Sequence, residues 1–200
     1  IMKTEQLHEL LYQALETEAG GVQIYETALR CAVNDDLKAE WETYLEQTQI
    51  HEQKLRSLLE SMGLDPAKDT AGRQIVRHKG ESLVEAMTMA LKGDNPQAAQ
   101  LVAAECVVTA ETKDHQNWEL LGEVAANLPA TDATALKNAY EQIEDQEDEH
   151  LYHSMGWSRE LWMESLGLPA VLPPPEEEKD VRSAGEAARA KQSRKQMVRS

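Results

Sequence analysis

A chain of 200 residues, 41% of them hydrophobic, is long enough to bury the core of one domain. It has no Phe and is rich in Ala, Leu, Glu and Gln, which favours helices over strands because unbranched side chains lose little rotamer freedom in a helix. A net charge of -16 argues against nucleic acid as a partner of the folded body, since phosphate recognition runs on Lys and Arg, and points to cations instead.

Hydrophobic spacing predicts a first helix over about Thr4–Cys31, with Leu7, Leu11, Ala14, Val22, Tyr25 and Leu29 on its buried stripe and Glu18 inside it. "VNDD" (33–36) makes a turn, and a second helix follows to about Met62, burying Trp41, Leu45, Leu55, Leu58 and Leu59 before Gly63 and Pro66 stop it. A long connection then carries a short apolar helix, "ESLVEAMTMALK" (81–92). Asn95 can cap and Pro96 begin a third long helix, which carries Leu101, Ala104, Val108, Trp118 and Ala125 until "LPATD" breaks it near residue 130. The fourth long helix carries Leu136, Tyr140, Ile143, Leu151 and Met155 and ends near Gly156; "SRELWMESL" reads as a short helix beyond it. The fold class expected is therefore all-α. It is an antiparallel four-helix bundle with a long crossover between its second and third helices, plus a short C-terminal helix and an extended tail. Residues 1–168 form the bundle domain, and 169–200, rich in Pro and charge, form an arm.

Cys31 and Cys106 fall far apart in helical pattern and read as small core fillers, not a disulfide or a thiolate site. No apolar run approaches the ~18 residues of a membrane span, and "IMKTEQLHEL" has no signal-peptide core. No membrane partner and a cytoplasmic location are expected. Trp157 and Trp162, read as exposed near one end of the bundle, suggest a homodimer.

The chain contains an internal repeat. "ETEAGGVQIYE" sets Glu18 seven residues before Tyr25, and "ETKDHQNWE" sets Glu111 seven before Trp118. In the helices that follow, Trp41 lies ten residues before His51 and Tyr140 ten before His150. One position breaks the repeat: Glu147 precedes His150 by three, whereas Thr48 precedes His51 by three. Antiparallel neighbours rise equally per residue from their shared turn, so Glu18, His51, Glu111, Glu147 and His150 all reach one layer of the bundle. Burying one unpaired carboxylate costs several kcal/mol against a total stability of ~5–15 kcal/mol. Three at one depth therefore demand protons, a cationic partner or a metal.

This constellation resembles the ferritin-like superfamily, whose bundles present a Glu from each of two helices and a Glu-x-x-His from each of the other two to a pair of metal ions. The short helix in the crossover and "LEQT" before His51 look most like the bacterial stress-induced ferritin-like proteins of the YciE and YciF group. The resemblance covers about residues 4–155. It implies Glu18, His51, Glu111, Glu147 and His150 as ligands of iron or manganese, zinc also suiting the donors. It further implies reaction with dioxygen or hydrogen peroxide, in stress defence or iron handling. Thr48 departs from the family pattern where a bridging carboxylate would stand, and His115, one turn beyond Glu111, is a candidate sixth ligand. The alternative is a non-catalytic bundle with a degraded site, acting through oligomerisation or partner contacts.

Overall fold

The computed structural model describes residues 3–174, 192 and 194–198. They contain five long α-helices and no strand: α1 (Thr4–Cys31), α2 (Asp35–Ser61), α3 (Ala71–Leu91), α4 (Pro96–Asn127) and α5 (Ala130–Ser165). Local chemistry sets the starts. Asn34 accepts hydrogen bonds from the Asp36 and Leu37 amides, Thr70 from that of Arg73 and Asn95 from that of Ala98, each answering backbone donors that a helix N-terminus leaves unpaired. Beyond α2, Gly63 takes a positive φ of 74°, open to glycine at no steric cost.

Helices α1, α2, α5 and α4 touch in a closed circuit, and α3 lies against α1 and α4. Their apolar faces form two separate clusters. One gathers Tyr25, Trp41, Tyr44, Met87 and Trp157, the other Leu11, Leu15, Leu55, Leu59, Trp118 and Leu121. On every helix of the circuit buried polar residues stand between the two: Glu18 on α1, Thr48 and His51 on α2, Glu111 and Asp114 on α4, Glu147 and His150 on α5. The core is thus interrupted at one level by carboxylates and imidazoles. No described helix is long and apolar enough to cross a membrane.

Two elements differ from the sequence expectation. The crossover helix begins ten residues earlier than "ESLVEAMTMALK", at Ala71. Its N-terminal half is polar and holds Gly72 and Gly80, so periodicity alone reads it as loop; the structure ties it to α1 through charge. Arg73 and Arg77 both pair with Glu16, at 2.9 and 2.8 Å, and Arg73 also donates to the carbonyls of Pro66 and Lys68. The second difference is α5, which runs through Gly156 to Ser165 and absorbs the short helix expected beyond it. Gly156 makes room there for the following segment: a Cβ on it would lie 3.2 Å from the Pro174 Cβ. Consequently Trp157 is buried at 1% exposure, its indole donating to Glu40, whereas Trp162 is half exposed and donates to Glu105. Only one of the two tryptophans that suggested a dimer therefore lies on the surface. Met155, expected in the core, is also exposed. Cys31 and Cys106 are free and buried. Most of the 169–200 arm lies outside the described residues, but Arg194 donates to the buried carboxylate of Glu160 at 2.6 Å.

Candidate metal centre

Five of the six residues singled out from the sequence meet in the polar layer, in two groups that share Glu147. Glu18, His51 and Glu147 bring one ligand atom each within 4.8 Å of one another, and so do Glu111, Glu147 and His150. In the first group His51 Nδ1 lies 2.9 Å from Glu147 Oε1 and 3.6 Å from Glu18 Oε1. In the second, His150 Nδ1 lies 3.6 Å from Glu111 Oε2 and 3.7 Å from Glu147 Oε1. The two imidazoles stack with centroids 5.7 Å apart. All five residues are at most 4% exposed.

The surrounding hydrogen bonds repeat as the sequence does, but crosswise. Trp118 donates to Glu18 at 2.8 Å and Tyr25 to Glu111 at 2.5 Å, so each aromatic holds the carboxylate of the other helix. Likewise His51 Nε2 lies 2.7 Å from Gln146 Oε1, and His150 Nε2 lies 2.7 Å from Gln47 Oε1. An amide oxygen accepts the Nε2 proton and leaves each Nδ1 facing the carboxylates, the nitrogen a metal would take once its proton has left. Both glutamines precede their partner's counterpart histidine by four residues, in "QTQIH" and "QEDEH", a signal the sequence reading missed.

Whether these groups suit a metal can be judged from what they leave unpaired. Glu18 Oε2, Glu111 Oε2, both oxygens of Glu147 and the Nδ1 atoms of both histidines are buried without a hydrogen-bond partner. Buried polar atoms are normally satisfied, because leaving one unmade costs roughly 1–3 kcal/mol and more when charged. Six convergent oxygen and nitrogen atoms of this kind fit a divalent cation.

Electrostatics reflects the crowding. Burial, and then the Glu18 charge, pushes the Glu147 carboxyl up to about 7. Burial alone would lower the His51 pKa, yet the Glu147 and Glu18 carboxylates beside its Nδ1 outweigh that and raise it to about 10. Asp114, 5% exposed, is driven well above the usual carboxylate range by burial and by the charges of Glu18, Glu147 and Glu111, and its Oδ1 has no partner. The sequence reading missed it, although it stands one turn after Glu111. Its counterpart one turn after Glu18 is Gly21, and a Cβ on Gly21 would lie 3.1 Å from Thr48 Cγ2. Thr48 itself is 2% exposed, within the layer as the repeat predicts. The two halves thus differ twice: Glu147 and Asp114 on one side answer Thr48 and Gly21 on the other.

His115 stands apart from both groups, with Nε2 2.7 Å from Asp148 and its ring against Tyr152. Glu52 pairs with Arg56 at 2.6 Å. His153 contacts Glu40, which also accepts from Tyr44 and Trp157; Tyr44 in turn lies against the His150 ring at 4.2 Å. No family model matches this chain, and neither a curated protein nor a solved structure does.

Proposed function

We propose that the chain is a ferritin-like metalloprotein, an antiparallel four-helix bundle that binds iron or manganese at the Glu147-sharing groups and reacts with dioxygen or hydrogen peroxide, in stress defence or iron handling. The bundle topology is supported by the order of the two apolar clusters along each helix. That order reverses from α1 to α2, is the same in α2 and α4, and reverses again in α5, as a crossover between parallel α2 and α4 requires. The observation that carries the function is the set of unpartnered donor atoms converging on Glu147.

Iron or manganese bound there would supply electrons to an oxygen species, chemistry that no side chain of the layer provides. The side chains do the rest. Glu147 serves both groups, Glu18 and Glu111 each serve one, and the Nδ1 atoms of His51 and His150 complete them. Gln146 and Gln47 fix the imidazole tautomers, while Trp118 and Tyr25 fix the carboxylate orientations. The apolar clusters on either side exclude bulk water from the layer.

Thr48 favours a second reading, in which the fold persists as an oligomerisation or interaction module without tight metal binding. Anaerobic titration of the chelator-free protein separates the two. Fe(II) or Mn(II) should saturate at about one to two ions per chain, and the double variant Glu147→Ala, His150→Ala should take up none at this site. A folded wild-type protein that binds neither metal under reducing conditions would leave the module reading.

A further inference from the structure

A cavity of about 390 Å³ lies between α1, α3 and α4 and shares no residue with the Glu/His layer. Its size falls in the ~300–1,000 Å³ range of small-molecule sites. Ile24, Ile75, Val76 and Leu83 wall it with apolar surface. Glycine creates part of the space: a Cβ at Gly20 would meet nothing within 4 Å, and one at Gly80 would meet only the Gly20 Cα, at 3.9 Å.

The polar lining is unusual for so acidic a chain. Lys79 on α3 and Lys113 on α4 both line the cavity. No carboxylate of the described residues lies within ion-pair distance of either, although the chain holds 36 acidic residues against 20 basic ones. The one acidic residue of the lining, Glu16, is already held by Arg73 and Arg77. Lys113 donates to Asn117 at 2.6 Å, and Asn117, fully buried, donates in turn to Thr17, so one ammonium is held in place at the wall. Two cations without a carboxylate partner among the described residues, beside an apolar wall, match a ligand with one anionic end and an apolar body.

We propose that this cavity binds a medium-chain carboxylate, its chain against Ile24, Ile75, Val76 and Leu83 and its head between Lys79 and Lys113.

Calorimetric titration of the full chain with decanoate and, separately, decanol tests it. Decanoate should saturate at about one per chain, with decanol roughly tenfold or more weaker, because a charged hydrogen-bond partner is lost. Replacing both lysines, Lys79→Gln with Lys113→Gln, should bring decanoate down to the level of decanol. Gly80→Leu should fill the cavity and abolish binding of both, with circular dichroism reporting the fold. If that variant does not fold, the lysine pair alone decides. No saturable decanoate binding by the wild type, equal binding of the two probes, or decanoate binding unchanged by the lysine double substitution would overturn the assignment.

Discussion

In the metal-free protein the shared carboxylate should make stability fall with rising pH, and Glu147→Gln should remove that part of the fall. Glu147 titrates at about 7 in the folded chain against an ordinary 4.5, through burial first and the Glu18 charge next. A folded pKa above the unfolded one means that the folded state holds the proton more tightly. The contribution is full below pH 4.5 and is lost as pH rises through 7. At about 1.36 kcal/mol per pH unit, the gap between 4.5 and 7 corresponds to about 3 kcal/mol. His51, raised to about 10, acts with the same sign but over a later window, from its ordinary 6.5 up to 10. Urea unfolding of chelator-treated wild type and Glu147→Gln, at intervals from pH 4.5 to 6.5, below the window in which His51 acts, reads the Glu147 share as the difference between two slopes. The glutamine keeps the shape of the protonated carboxyl, so the variant should match the wild type near pH 4.5 and be more stable by about 2 kcal/mol at pH 6.5. With saturating Mn(II) the wild-type slope should reverse, because ligands bind a metal only when deprotonated. Equal metal-free slopes for the two proteins would mean that Glu147 is not a crowded, buried carboxylate.

Thr48→Glu adds a carboxylate next to Gly21 and should move metal stoichiometry toward two while destabilising the metal-free protein, measured by titration and melting; no change in either would place position 48 outside the layer's influence. Gln47→Leu removes the acceptor for His150 Nε2 and should weaken metal binding by about 10–100-fold, read by competition with a chelator. Arg73→Ala leaves buried Glu16 with Arg77 alone and frees the carbonyls of Pro66 and Lys68, and should cost about 2–3 kcal/mol in chemical denaturation.

The layer was legible because helical geometry converts sequence distance into depth. Glu18 and His51 lie equally far from "VNDD", and the structure brings them together. The aromatic positions were legible as a repeat but not as contacts: sequence spacing pairs Glu18 with Tyr25, whereas Tyr25 reaches across to Glu111 and Trp118 to Glu18. Spacing reports what shares a helix face and is silent about which neighbouring helix that face meets. The N-terminal half of α3 was hidden for a related reason. Its attachment is ionic, through Arg73, Arg77 and Glu16, and an ion pair between distant segments leaves no periodicity. Gly156 misled by composition: glycine commonly follows a helix end, but here it admits Pro174 against an unbroken α5. Asp114 was passed over because a single Asp after "ETK" looks like a solvated helix residue, and only the packing of four helices shows it to be buried.

The two groups that share Glu147 should bind metal. A crystal structure of the full chain grown with Mn(II), with anomalous scattering recorded at the manganese edge, tests it most directly. Anomalous peaks should appear within the Glu18, His51, Glu147 group, the Glu111, Glu147, His150 group, or both. An ordered, fully buried layer without a peak, with manganese found only on exposed acidic faces, would contradict it.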